Sequence, residues 1–231
     1  MLQSTCSANP KPSRRYRAGP TKPDLVARAP GQRYRAPMSS GLPRRGATLD
    51  DLVGLPAEIA AEIVNGEIVE KATPGPEHGT AQLGLGAQLF GAFHRPPGRG
   101  GPGGWWLMTE VEVFYAADET YRHDLVGFRR ERVPAMPPER PVRVRPDWVS
   151  EVLSPSNASN DTVKKLRTLQ RVGVPHYWLV DPERRTLTVL RWTAEGYLTL
   201  LSAAIDERVR AEPFEALEIE LSVLFDLEGA G

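Results

Sequence analysis

The chain has 231 residues, a mass of 25.5 kDa and 40% hydrophobic residues, with 29 Lys/Arg balanced by 29 Asp/Glu. That allows one or two domains with a sizeable core, and no apolar run approaches the ~18–20 residues of a membrane span. Cys6 is the single cysteine, which excludes an intrachain disulfide and a cysteine-based zinc site and makes a reducing, cytoplasmic setting the expectation.

The neutral total conceals a division. Residues 1–47 hold ten Lys/Arg and one acid, Asp24, for a net +9, so the remainder carries −9. With seven prolines and few spaced apolar residues, this stretch reads as a disordered basic tail. Arg14-Arg15 is not followed by the hydrophobic run of an export signal, and the prolines interrupt the amphipathic helix of a transit peptide. Met38 is an alternative start, and the tail is otherwise a non-specific DNA-binding arm. The globular pattern occupies 48–231.

Thr48-Leu-Asp-Asp-Leu predicts a capped helical turn. A short helix or turn is expected from Ile59, then the hairpin signal Asn65-Gly66 and a strand with Ile68 and Val69. Thr80 to Phe93 predicts a helix. Its two apolar lines, Leu83/Ala87/Phe90 and Leu85/Leu89/Phe93, imply broad burial. A Gly/Pro loop over 95–104 precedes strands at 105–115, 123–128, 148–153 and 177–180. Asn160 to Val172 predicts a helix ended by Gly173, with Val163, Leu166, Leu169 and Val172 facing the core. A further strand is expected over 186–192, after Asp181-Pro182. Strand, helix and strand over 148–180 form a crossover unit with parallel strands. The fold class is α/β or α+β, with a mixed sheet flanked by helices.

Several chemistries are poorly supported. There is no Gly-x-Ser-x-Gly elbow, no phosphate-binding Gly-rich loop that opens a helix, and no metal-ligand spacing among His78, His94, His123 and His176. Carboxylates at strands are more informative. Asp124 opens Asp-Leu-Val-Gly-Phe, and Glu151 lies in the otherwise apolar Trp-Val-Ser-Glu-Val-Leu, where an unpaired charge is costly. Asp161 and Lys165 share a helix face at i and i+4. Two carboxylates and a lysine suit a hard divalent cation and phosphodiester hydrolysis. The plainer alternatives are a Glu151 paired with Lys165 or Arg167 at the sheet edge, a solvated Lys164-Lys165 face, and surface or turn acids at Glu62, Asp124 and Asp147.

The segments Arg-Pro-Asp-Trp-Val-Ser-Glu-Val-Leu-Ser-Pro-Ser (145–156), Asp161, Lys165-Leu166, Gly-Val-Pro-His-Tyr-Trp-Leu-Val-Asp-Pro (173–182) and Leu-Thr-Val-Leu-Arg (187–191) resemble the Uma family. These are bacterial restriction endonucleases of the PD-(D/E)XK superfamily. Upstream, Glu62 to Glu70 and Pro76-Glu-His-Gly79 resemble that family's opening hairpin and helix start, so the resemblance runs over about 48–226. It implies an αβββαβ restriction-endonuclease-like core and Mg²⁺- or Mn²⁺-dependent cleavage of DNA. Asp124 and Glu151 would be the metal carboxylates, with Glu62 assisting and Lys165 positioning the attacking water. Leu153 stands where the superfamily usually has its lysine, His123 replaces the proline before the motif aspartate, and Leu169 replaces a common tyrosine. The intact Pro146-Asp147 leaves Asp147 as a rival; Asp124 is preferred, because a residue four before Glu151 on one strand lies about 13 Å away.

Arg129, Arg130, Arg132, Arg143, Arg145, Lys164 and Arg167 are candidate phosphate contacts. A homodimer would let a nuclease cut both strands. The competing readings are a nuclease fold kept as a DNA-binding or interaction module without turnover, and an enzyme acting on another phosphate ester. The missing Glu-x-Lys spacing and the acidic body favour the module.

Overall fold

The computed structural model describes residues 46–56, 58–98, 100–155 and 158–225. The predicted tail lies outside these residues except for Gly46 and Ala47. Ala47 is buried and donates its N–H to Gly66 O at 2.9 Å. The described elements belong to one unit, which spans Gly41–Gly231.

Thr48 opens α1 (Leu49–Val53) through a capping box with Asp51. The segment expected to be helix or turn is instead a strand. Residues β1 (Ala61–Val64) and β2 (Glu67–Glu70) form a hairpin around Asn65-Gly66, where both φ angles are positive at 51° and 73°. That is the turn Asn-Gly favours. Its pairing forces the preceding Ala-Glu-Ile-Val to extend, overriding a weak helical preference.

The helix α2 (Pro76–Phe93) starts earlier than expected, with proline in its first turn. Only one of its two apolar lines is covered. Leu85, Leu89 and Phe93 are buried with Ala81, whereas Leu83 is 73% exposed and Phe90 52% exposed. The sheet contacts a single stripe of the helix, so the second line borders an open groove.

Long antiparallel strands β3 (Trp105–Ala116) and β4 (Glu119–Arg129) follow. Then come β5 (Trp148–Val152), a π-helical segment Asn160–Lys165 continuing into α3 (Leu166–Val172), and β6 (His176–Asp181). Strands β5 and β6 are parallel, as the crossover reading required. Gly173 ends α3 in the left-handed region at φ 70°. Val163 is exposed rather than core-facing, because the wider π turn rotates it away from the sheet. Antiparallel β7 (Thr186–Thr193) and β8 (Gly196–Ala204) extend the sheet. A small pair, β9 (Arg208–Val209) and β10 (Ile219–Glu220), and α4 (Ser222–Phe225) complete the described chain.

The result is an eight-stranded mixed sheet with helices on it, in the order β2-β1-β4-β5-β6-β7-β8, with β3 paired to β4. On one side, α2 packs over Trp105, Leu107, Leu125, Trp148, Val152 and Trp178. On the other, Leu169 of α3 joins Val126, Phe128, Val149 and Tyr177. Each large apolar side chain buried this way contributes roughly 1.5–3 kcal/mol.

One detail of the topology positions the site. Strand β3 takes one edge of β4 along its length. The other edge is shared, with β1 pairing at Thr120 and β5 pairing at Leu125, Val126 and Gly127. Residues 121–124 of β4 therefore face a wedge between β1 and β5. Backbone groups there need partners other than a neighbouring strand.

Candidate active site

Ionic side chains fill the wedge. Glu62, on β1, accepts the Arg122 N–H at 2.8 Å, and Lys71, just after β2, donates to the Arg122 carbonyl at 2.9 Å. Asp124 accepts the Val152 N–H through Oδ2 at 2.7 Å, tying β4 to β5 beside Glu151. On β3, Glu110 is skipped by the pairing between Thr109↔Leu125 and Val111↔His123, and it has a positive φ of 56°. The irregularity lies across from Asp124, with the register of the flanking pairs unchanged.

Lys165 is the hub on the α3 side. Its Nζ lies 2.9 Å from Glu62 Oε1, 3.1 Å from Glu151 Oε1 and 3.0 Å from Asp161 Oδ1. Three acceptors engage all three protons of the ammonium. Its side chain is only 2% exposed. Burial opposes its charge, but Asp161, Glu151 and Glu62 outweigh it and hold the lysine well above its ordinary value. Burial also pushes Glu151 up to about 8 and Asp161 up to about 7, against the pull of Lys165.

A relay fixes Glu151 from the other side. His123 Nδ1 lies 2.6 Å from Glu151 Oε1, and its Nε2 lies 2.7 Å from the Tyr115 hydroxyl. Burial, reinforced by Lys165, holds His123 well below the usual imidazole range, while burial keeps Tyr115 a phenol. The neutral ring then donates from Nδ1 to Glu151 and accepts from Tyr115 at Nε2. His123 thus orients the Glu151 carboxylate.

Asp124 has a different set of partners. Lys71 Nζ lies 2.5 Å from Oδ1, and His78 Nε2, from the first turns of α2, lies 3.5 Å from Oδ2. Burial alone would raise Asp124; the His78 hydrogen bond and the Lys71 charge outweigh it and hold the carboxyl well below its ordinary value. Gln82 of α2 donates to the Asp124 carbonyl at 2.9 Å and also reaches Thr109 and Glu110.

The four residues singled out in the sequence thus border one wedge, with Glu62, Glu151 and Lys165 in direct contact. Asp161, the i, i+4 helix partner of Lys165, joins them. Lys71 and His78 were missed. Lys71 sits in no motif, and His78 is marked only by the helix start it follows. Asp147 lies at the other end of β5, where it takes Arg132 Nε at 2.8 Å and the Arg129 N–H at 2.8 Å, as a turn-forming acid does.

Several candidate phosphate contacts are occupied structurally. Besides Arg132, Arg130 lies over the Trp106 ring at 3.3 Å, Arg129 over Trp105 at 4.7 Å and Arg143 over Phe114 at 4.7 Å. A groove of ≈ 620 Å³ runs between α2 and β3. It is lined by apolar residues including Leu83, Phe90 and Met108, and Gln82 links it to the wedge.

Among the described residues no three His, Cys, Asp or Glu side chains form a ready-made metal cage. Mg²⁺ does not need one, since it is commonly held by one or two carboxylates and keeps several waters. The charge of the wedge fits such an ion. Glu62, Asp124, Glu151 and Asp161 face Lys71 and Lys165, which leaves two negative charges uncompensated when all four acids are ionised. One divalent cation balances that excess, and the donors are hard oxygens.

The mixed sheet flanked by helices matches a nuclease-like fold. A family model described as Uma2, putative restriction endonuclease, matches residues 48–224, and the chain belongs to that family. Among solved structures, the chain is similar to a putative nuclease belonging to DUF820 from Anabaena variabilis ATCC 29413. The TM-score is 0.60 at 24% identity, covering 77% of this chain and 97% of the other, a likeness of fold. No curated protein matches the chain. Among the described residues, no helix is long and apolar enough to cross a membrane.

Proposed function

We propose that this protein is a Mg²⁺- or Mn²⁺-dependent DNA endonuclease acting at the wedge between β1 and β5. The observation that carries this reading is the buried cluster in which Glu62, Glu151 and Asp161 meet one ammonium while Asp124 stands beside them on β4. Asp124 and Glu151 would hold the metal, with Glu62 assisting. The bound ion would stabilise charge on the phosphate and lower the pKa of a coordinated water.

The chain's own residues prepare that event. Lys165, with all three protons engaged, is a positioning residue for Glu62, Glu151 and Asp161 rather than a direct water ligand. That refines the role the resemblance implied. His123 and Tyr115 hold the orientation of Glu151, so its carboxylate needs little rearrangement. Hydrolysis forms a bond from water oxygen to phosphorus and breaks one ester P–O bond, with the proton passing to the leaving oxygen.

DNA is the substrate the family suggests, and a homodimer would supply two such sites by two-fold symmetry. The test is supercoiled plasmid incubated with the purified full chain and Mg²⁺ or Mn²⁺. Nicked or linear product that disappears with EDTA and with Glu151→Gln supports the proposal. Intact plasmid under all conditions, with retained DNA binding, would favour the non-catalytic module.

A further inference from the structure

Lys71 belongs to no motif and has no part in the reaction above, yet its ammonium makes the shortest contact to the motif aspartate. Nζ lies 2.5 Å from Asp124 Oδ1 and 2.9 Å from the Arg122 carbonyl, with Glu110 Oε2 at 4.0 Å. We propose that Lys71 is a tethered cation seated on the Asp124 arm of the metal site, and that it moves toward Glu110 when a divalent cation binds. This rests on the metal-dependent reading of the same wedge, and adds that the chain's own lysine sets its metal affinity.

The two oxygens of Asp124 are not equivalent. Oδ2 is held by the Val152 N–H of β5, with His78 also beside it. Oδ1 is therefore the oxygen an incoming ion can take, and that is the one Lys71 occupies. Two cations cannot share one carboxylate oxygen at contact distance without strong repulsion. Either the lysine leaves or the ion binds weakly.

A second seat is at hand. The Glu110 side chain is 33% exposed, against 10% for Lys71, and it already attracts Arg122 Nε at 2.9 Å. Lys71 follows the last residue of β2 and precedes α2, so it lies outside regular structure. Its flexible four-carbon stem can carry the ammonium from one carboxylate to the other without moving a strand.

The test is calorimetric titration of the DNA-free full chain with Mn²⁺, together with thermal melts with and without the ion. If the lysine holds the Asp124 seat nine-tenths of the time, Lys71→Met should bind Mn²⁺ about ten-fold more tightly. Its melting temperature should also rise more on Mn²⁺ addition than that of the wild type. Glu110→Gln should weaken binding in the wild-type background and have no effect beside Lys71→Met, because the second seat matters only while the lysine is present. Lys71→Gln stands in if the methionine variant does not fold.

Equal affinity of wild type and Lys71→Met overturns the proposal while leaving the metal site intact. So does a Glu110→Gln effect that is the same in both backgrounds, which marks a general field rather than a seat. No Mn²⁺ binding by either protein overturns the proposal and the metal-dependent reading together.

Discussion

The two arms of the wedge use lysine in opposite ways. On the α3 side, Lys165 is enclosed by three carboxylates at 2.9–3.1 Å and has nowhere else to go. On the α2 side, Lys71 rests on one carboxylate and one carbonyl, with a more exposed glutamate next to it. The first lysine is a fixed part of the folded core; the second is a counter-ion that can be exchanged. A buried ion pair costs several kcal/mol when one partner is removed but adds little net stability when intact. The enclosed lysine is thus best understood as holding geometry.

The sharpest way to break this contrast is Lys165→Met. Three acids would face one another without a cation, so stability at pH 8 should fall by about 3–5 kcal/mol, and plasmid cleavage by about 10³-fold or more. Denaturant melts at pH 5 should show a smaller loss, because Glu151 and Asp161 then carry protons. An equal loss at both pH values would contradict the role given to Lys165.

Next in size is Glu151→Gln. Cleavage should drop by about 10²–10³-fold, while metal-free stability at pH 8 stays level or rises, since a neutral amide removes an excess buried charge. Circular dichroism melts beside nicking assays separate the two effects. A variant that unfolds at neutral pH would show Glu151 to be structural first.

The pH dependence of the unmodified chain gives a smaller signal. Glu151, at about 8, and Asp161, at about 7, lie above their unfolded values of 4.5 and 3.8. Groups raised in this way contribute stability that is fully present below the unfolded values and is lost as pH rises through 7–8. The metal-free melting temperature should therefore fall on the order of 5 °C between pH 5 and 8.5, and Mg²⁺ should reduce the decline. Asp124 acts in the opposite sense, being lowered, so its contribution fades only below pH 3.8.

Asp147→Asn should have the least effect on cleavage. Its carboxylate pairs with Arg132 at the far end of β5, so a loss of about 1–2 kcal/mol in stability with near-wild-type cleavage is expected. Abolished cleavage in a folded Asp147→Asn protein would favour the rival Asp147 over Asp124.

How much was legible in the sequence follows from what each residue needs. Glu151 stands out as a charge within an apolar strand, and the crossover follows from strand–helix–strand order, both local signals. Asp124 is marked as a strand carboxylate and Lys165 by its i, i+4 spacing from Asp161, while the role of Glu62 comes only from the ordered motifs. Lys71 carries no local signal, and His78 stands in the Pro76-Glu-His-Gly79 helix start without any sign that it faces Asp124. Their meaning comes from a wedge created when β1 and β5 share one edge of β4. Apolar spacing likewise could not show that Leu83 and Phe90 of α2 lie beyond the stripe the sheet covers. The strand Gly196–Ala204 was also missed, because its half-exposed residues lack a clean alternation.

The most direct test of the central claim is anomalous diffraction from crystals of the full chain soaked in Mn²⁺. The account predicts one manganese peak bound by carboxylate oxygens of Asp124 and Glu151, at about 2.2 Å, with Lys165 unmoved among its acids and Lys71 displaced toward Glu110. No peak at the wedge, or a peak elsewhere with Lys71 still on Asp124, would contradict it.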